Sequence, residues 1–130
     1  MTKDECAELP PPLVLQGIEQ FNRGEFFEQH ETLETAWRIE PLPVRELYQG
    51  ILQVGVACYQ IKRGNLPGAL KLFERGLRRL YRFAPGCRGI DVARLIADAE
   101  HLRGEAARLG PERLRDLDWT LFPKIVLRDV

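Results

Sequence analysis

The feature that most constrains this chain is a run of fifteen uncharged residues, 47–61, in the middle of the sequence. Three glutamines, Gln49, Gln53 and Gln60, interrupt it, and it is shorter than the roughly twenty apolar residues that span a bilayer. On a helix the run is apolar on nearly every side, so other helices must surround it in the folded protein. We therefore expect a buried central helix over about residues 43–63.

The rest of the chain also has a helical pattern. Apolar residues recur at spacings of three and four, strict alternation does not occur, and glycines and prolines divide the chain at separate points. This pattern predicts an all-α protein, a compact bundle of five main helices and a short C-terminal turn. The helices span about residues 13–22, 25–39, 43–63, 66–83 and 91–110. With 130 residues in all, we expect an N-terminal tail over residues 1–12 and one domain over residues 13–130.

A weak internal repeat relates two of the predicted turns. Gly24-Glu25-Phe26 and Gly64-Asn65-Leu66 lie 40 residues apart, and each precedes a helical segment. A glycine turn followed by a helix at this spacing resembles the helical hairpins of tetratricopeptide repeats. Two copies are too few for a solenoid, so we expect two tetratricopeptide-like hairpins packed around one core.

The cysteines and the N-terminal residues bear on the compartment. Cys6, Cys58 and Cys87 are widely spaced and form no CxxC pair, a pattern that favours neither a disulfide framework nor a structural zinc site. The first twelve residues lack the basic and apolar regions of a signal peptide. We therefore expect a cytoplasmic protein without membrane association.

The second predicted helix holds the densest group of acidic, histidine and aromatic residues. At 100° per residue, His30 falls inside the apolar stripe of this helix and Glu34 borders the stripe one turn further on. The glutamines of the central helix form its polar stripe, which would face the second helix. We therefore expect a buried polar cluster with aromatic walls, whose members are His30, Glu34, Gln49, Gln53, Trp37 and Tyr48.

Several of these residues resemble the signature of a known family. The first block comprises Phe21-Asn22, Glu25-Phe26-Phe27-Glu28, His30-Glu31, Glu34 and Trp37, and the later blocks comprise residues 49–53, Gly64-Asn65 and Gly68-Ala69. Over about residues 13–83 the chain is similar to the small uncharacterised helical proteins of domain of unknown function 309. The resemblance implies a multihelical bundle with a buried central helix, and it implies no established activity.

The segment from His30 to Glu34 also has the spacing of the metal-binding helix of zinc hydrolases. In that interpretation His30 and Glu34 are the candidate metal ligands, and Glu31 and Glu34 are the candidate catalytic carboxylates. The second histidine of the chain, His101, falls opposite the apolar stripe of its own helix, so a third ligand is missing. We expect His30 and Glu34 to be a structural pair with no metal or other cofactor, and keep a metal-dependent hydrolase as an alternative.

The charges are unevenly distributed although the formal net charge is +0. Residues 61–90 carry eight basic and one acidic side chains, and five of the basic ones form a stripe on the fourth helix: Lys71, Arg75, Arg78, Arg79 and Arg82. Arginine forks bind phosphates and carboxylates, so an acidic partner or a nucleic acid is a further alternative. Aromatic residues for base stacking are not interleaved on the stripe, which argues against nucleic acid. The simpler explanation is a solvated face, or pairing with glutamates of the second helix within the molecule or across a dimer.

These patterns favour a non-catalytic interaction or structural module that binds another protein or itself. The sequence has no GxSxG motif and no glycine-rich phosphate loop, and Cys87 has no histidine near it in the sequence. We expect the aromatic C-terminal segment around Trp119 and Phe122 to dock on the bundle, since exposed aromatic patches promote aggregation. The sequence predicts neither a substrate nor an oligomeric state.

Overall fold

The computed structural model of the chain describes residues 3–128, with side chains from Glu5 onward. Within this range the α-helices are α1 (Lys3–Ala7), α2 (Pro12–Asn22), α3 (Phe26–Ile39), α4 (Arg45–Lys62), α5 (Leu66–Leu80) and α6 (Val92–Arg113). The two-residue strands β1 (Gly86–Cys87) and β2 (Ile90–Asp91) pair antiparallel between α5 and α6. Short 3-10 helices cover Tyr81–Phe83, Leu114–Asp116 and Trp119–Leu121. The predicted all-α class is confirmed.

Two glycine turns build the same helical hairpin twice. Gly24 and Gly64 have φ angles of +79° and +78°, in the left-handed region that glycine adopts without strain. The residue after each glycine donates a backbone hydrogen bond to the preceding helix, Glu25 to Gln20 O at 2.9 Å and Asn65 to Gln60 O at 2.8 Å. The first turn joins α2 to α3 and the second joins α4 to α5, as the internal repeat predicts.

Helix α4 occupies the centre of the bundle. Helix α3 packs along one side of it and α5 along another, while α2 packs on α3 and α6 on α5. Ile51, Val54 and Ala57 of α4 are fully buried. The predicted central helix is therefore confirmed. In the described part of the chain, no helix has both the length and the apolar character that crossing a membrane requires.

The N-terminal residues differ from the predicted tail. Helix α1 contacts β1, and the buried Glu5 carboxylate of α1 accepts a hydrogen bond from Val44 N–H at 3.0 Å. Cys6 forms a disulfide with Cys87, so the expectation of no disulfide is wrong. The two cysteines are 81 positions apart in the sequence, so their spacing gives no indication that they form a pair. Helix α1 is thus held on the bundle through Glu5 and Cys6, where a free tail was expected, while Leu9 after it is 76% exposed.

The C-terminal segment docks on the turn between α2 and α3. The ring of Phe122 lies 5.8 Å from the ring of Phe26, measured between centroids. Asn22 and Ile125 exchange two hydrogen bonds, Ile125 N–H to Asn22 Oδ1 at 2.6 Å and Asn22 Nδ2 to Ile125 O at 2.9 Å. The predicted docking is confirmed for Phe122, whereas the side chain of Trp119 is 49% exposed.

Candidate functional site

The predicted polar cluster around His30 is not assembled in the structure. His30 Nε2 lies 3.4 Å from Glu34 Oε2, but the two side chains are 41% and 34% exposed. Glu34 also accepts a hydrogen bond from Arg38 at 2.7 Å. His30 and Glu34 thus form a surface row along α3 together with Arg38, and the expected burial of His30 is wrong.

The other members of the predicted cluster lie elsewhere around α4. Gln53 Oε1 accepts a hydrogen bond from Arg79 at 3.0 Å, so it faces α5 and not α3. Trp37 is half-buried under the guanidinium of Arg45, which lies 4.3 Å from the ring centroid. Gln49 is half-buried on α4. The glutamine stripe and the histidine are therefore not brought together.

The polar side chain that α3 buries is Gln29, the neighbour of His30 in the sequence. Gln29 is fully buried, and its Nε2 donates to Phe26 O at 3.0 Å and to Leu52 O at 3.3 Å. Its Oε1 has no hydrogen-bond partner among the described residues. Helix α4 makes room for this amide at Gly55, where any Cβ would overlap it. Gln29 thus joins α3 to α4 through backbone carbonyls.

The metal-ligand interpretation lacks a third ligand. His30 and Glu34 are close enough for a hydrogen bond or for a shared ion, and Glu31 is exposed on the same helix. Among the residues that the structure describes, no group of three or more His, Cys, Asp or Glu side chains is placed to hold a metal ion. His30 and Glu34 therefore form a pair on the surface of α3.

The most extensively bonded buried charge is Arg88, which the sequence patterns did not single out. Its side chain is 3% exposed. Its Nη1 donates to Glu40 Oε1 at 2.9 Å and to the Tyr48 hydroxyl at 2.8 Å. Its Nη2 donates to Glu8 Oε2 at 3.0 Å, and its Nε donates to Glu5 O at 2.7 Å. We refer to Arg88, Glu5, Glu8, Glu40 and Tyr48 as the Arg88 cluster.

A two-residue turn between β1 and β2 directs Arg88 into this cluster. Arg88 and Gly89 have φ angles of +50° and +74°, the pair of positive values that a tight hairpin with right-handed strand twist requires. A non-glycine residue in this region carries strain of about 1–3 kcal/mol, which surrounding contacts must offset. The four side-chain hydrogen bonds and a bond from Arg88 N–H to Cys6 O at 2.7 Å supply those contacts. The Arg-Gly pair between two short segments is the only local signal of this turn.

The phenol of Tyr48 titrates above the usual range of a tyrosine. Burial raises the pKa of Tyr48 to about 12, since the loss of hydration outweighs the favourable charge of Arg88. Because the pKa of Tyr48 is higher in the folded than in the unfolded chain, the contribution of Tyr48 to the free energy of unfolding is constant below pH 10. That contribution falls by about 2–3 kcal/mol as the pH rises from 10 to 12.

We expect an ultraviolet titration of the chain's three tyrosines to contain one late phenolate step, near pH 12, from Tyr48. Tyr48→Phe should remove that step. Tyr81→Phe, at an exposed position, should leave it in place. A late step that persists in Tyr48→Phe would contradict the assignment.

The basic stripe lies on α5 and, for Arg82, on the 3-10 helix Tyr81–Phe83 that follows it, with one exception. Arg79 points to α4, where its Nε donates to Glu46 Oε2 at 2.9 Å. Arg78 is exposed and pairs with Glu74 of its own helix at 2.8 Å. The stripe residues that are exposed and form no ion pair with any described acidic side chain are Lys71, Arg75 and Arg82. The stripe is thus a solvent-facing row that begins at Lys71 and ends at Arg82.

Part of this chain matches a described family model. Residues 14–72, just under half of the chain, match the family model described as domain of unknown function (DUF309). The family model ends within α5, so Arg88 and its hairpin lie beyond the matched segment.

Two curated relatives are similar over most of this chain. An uncharacterized protein of Aquifex aeolicus (strain VF5) is 24% identical over 96 residues, which cover 73% of this chain and 29% of the relative. The uncharacterized protein YpuF of Bacillus subtilis (strain 168) is 30% identical over 102 residues, which cover 78% of this chain and 49% of the relative. The chain thus spans less than half the length of either relative, and no solved structure matches it significantly. The family match confirms the predicted resemblance to domain of unknown function 309, and the matched residues run from within α2, through α3 and α4, to the middle of α5.

Proposed function

We propose that this chain is a non-catalytic interaction module that binds an acidic protein surface through the exposed row of cations on α5. The observation that supports this proposal most directly is that Lys71, Arg75 and Arg82 are exposed without an ion pair to the described residues. The proposed compartment is the cytoplasm, where the Cys6–Cys87 disulfide would belong to the transient, redox-responsive bonds that occur there.

The geometry of the row fits an extended acidic partner. At 100° and 1.5 Å per residue, the positions of Lys71, Arg75 and Arg78 fall within an arc of about 60° and a length of about 10 Å of α5. Arg82 follows them in the 3-10 helix Tyr81–Phe83 that continues α5. Glu74 offsets part of the charge of Arg78, while the other three cations keep their full charge toward solvent. Arginine forks bind carboxylates in a bidentate way, so a helix with glutamates on one face is a matching partner.

The buried polar groups form their hydrogen bonds within the fold, which supports a binding role over a catalytic one. Arg88 bonds to acceptors within the fold, and Gln29 bonds to backbone carbonyls. Gln53 accepts from Arg79, whose charge Glu46 offsets. These groups hold elements together, which leaves the surface of α5 as the chemically distinctive part of the molecule.

The test is the affinity for a fluorescein-labelled helical peptide with glutamates at i, i+4, i+7 and i+11. We expect the triple variant Lys71→Glu/Arg75→Glu/Arg82→Glu to bind about tenfold more weakly or worse, since each exposed pair contributes about 0.5–1 kcal/mol. The matched control is Arg94→Glu/Arg108→Glu/Arg115→Glu, which makes the same change in charge on exposed positions elsewhere. Binding of the wild type should weaken as salt is added.

Two outcomes would contradict the proposal. Equal weakening by both triple variants would show that total charge matters and the row on α5 does not. Tighter binding of a short DNA duplex than of the acidic peptide, lost in the α5 variant, would identify nucleic acid as the partner instead.

A further inference from the structure

The Cys6–Cys87 disulfide is reachable from a cavity on the surface. The cavity has a volume of about 460 Å³, and both cysteines line it together with Gly89, Asp91 and Arg128. Cys6 is half-buried, whereas Cys87 is buried. A small thiol can therefore approach the bond from this side, where Cys6 is the more exposed of the two residues.

The disulfide fastens α1 to the rest of the protein. Helix α1 has five residues, and helices much shorter than about 12 residues are unstable on their own in water. Its noncovalent contacts include the bonds from Val44 N–H to the Glu5 carboxylate and from Arg88 to the backbone oxygens of Glu5 and Cys6. Glu8, just after the helix, adds a single ion pair at the exposed edge of the cluster.

Because several carboxylates surround the one cation of Arg88, the docking of α1 depends on the Cys6–Cys87 disulfide. Two carboxylates, of Glu8 and Glu40, share the one guanidinium, and the Glu5 carboxylate is buried beside them on Val44 N–H. Glu40 and Tyr48 belong to the bundle and stay bonded to Arg88 whether or not α1 is present. Arg88 thus has enough partners within the bundle to remain buried when α1 leaves.

We propose that Cys6–Cys87 is a thiol–disulfide exchange site that fastens α1 onto the Arg88 cluster and that a small dithiol opens. A thiolate of the dithiol attacks Cys6 Sγ and forms a mixed disulfide, while Cys87 Sγ leaves as a thiolate and takes up a proton. The second thiol of the dithiol then closes a disulfide within the reductant and releases Cys6 as a thiol. Two electrons pass from the dithiol to the cysteine pair.

Opening the bond has a local structural consequence. Helix α1 detaches, and Val44 N–H and Arg88 N–H lose the acceptors that α1 supplied. The side chain of Arg88 loses the contacts of Nε and of Nη2 and keeps those of Nη1. The helices α2–α6 keep their mutual packing, so the change is confined to one end of the bundle.

Hydrogen–deuterium exchange of the full chain, oxidised and after treatment with dithiothreitol, tests this proposal. We expect amides of residues 3–9, together with those of Val44 and Arg88, to exchange about tenfold faster or more in the reduced chain. The exchange rates of amides in the middle of α4 should be the same in the oxidised and reduced chains. Reoxidation with glutathione disulfide should restore the slow exchange.

Two variants serve as controls. Cys6→Ser should show fast exchange of residues 3–9 under oxidising conditions, as the reduced wild type does. Cys58→Ala, which alters the free and buried cysteine, should respond to dithiothreitol like the wild type. If Cys6→Ser does not fold, the reduced wild type gives the same comparison without a substitution.

Two results would overturn the proposal. Equal exchange of residues 3–9 and of Val44 in the oxidised and reduced chains would show that α1 stays docked without the bond. Alkylation of both Cys6 and Cys87 by iodoacetamide after equilibration with glutathione disulfide would show that the bond does not form.

Discussion

Replacing Arg88 with methionine is expected to lower the free energy of unfolding by about 3–5 kcal/mol, the usual cost of removing one partner of a buried ion pair. Glu40 is only 11% exposed and would lose its cation, and Glu5 O would lose a buried hydrogen-bond donor. The Tyr48 hydroxyl would lose its donor as well. Urea unfolding followed by circular dichroism measures this difference directly.

The control for Arg88→Met is Arg78→Met. Arg78 and Glu74 form an exposed pair at a similar distance, 2.8 Å, and such pairs contribute at most about 1 kcal/mol. The double variant Arg88→Met/Glu40→Gln should be more stable than Arg88→Met, because it leaves no unpaired carboxylate in the protein interior. Equal losses in Arg88→Met and Arg78→Met would show that Arg88 contributes no more than a surface residue.

The helices could be predicted because local signals define them. Gly24 and Gly64 end α2 and α4 with positive φ angles that other residues rarely adopt. Asp91, a residue type that favours the start of a helix, caps α6, and its carboxylate accepts a hydrogen bond from Arg94 N–H at 3.0 Å. Such signals act over a few residues, so they can be found without knowledge of the tertiary structure.

The orientation of α3 was predicted less well, and this error moved the candidate site. With Glu28 at 0°, the buried residues Ala36, Gln29, Leu33 and Phe26 cover about 80° to 160° of the helix. The predicted stripe ran from about 140° to 200°, since it gave weight to Trp37 and little to Ala36. A rotation of about 50° is enough to exchange the places of Gln29 and His30.

The Arg88 cluster could not be predicted from sequence spacing. Its members come from positions 5, 8, 40, 48 and 88, on separate elements that only the tertiary structure brings together. Arg88 belonged to a segment rich in basic residues and was indistinguishable there from a solvated surface charge. The pairing of Cys6 with Cys87 had no sequence signal for the same reason.

Replacing Gln29 with glutamate is expected to destabilise the protein by about 4 kcal/mol at pH 7. The new carboxyl would be fully buried against the carbonyl oxygens of Phe26 and Leu52, which offer it no donor. Burial of this kind raises the pKa of a carboxyl from about 4.3 to about 7 or above, and each pH unit between corresponds to about 1.4 kcal/mol. Because the folded state then holds a proton that the unfolded state has lost, the free energy of unfolding falls as the pH rises from about 4 to 7.

Two further substitutions make this result specific to the position of the Gln29 side chain. Gln16→Glu makes the same chemical change at an exposed site of α2 and should alter stability by less than about 0.5 kcal/mol at pH 4 and pH 7. His30→Ala should cost less than about 1 kcal/mol, because the His30 side chain is 41% exposed and its bond to Glu34 lies in contact with water. A loss in Gln29→Glu no greater than that in Gln16→Glu, together with a large loss in His30→Ala, would mean that His30 is the inward residue of α3. It would restore the site that the sequence alone predicted.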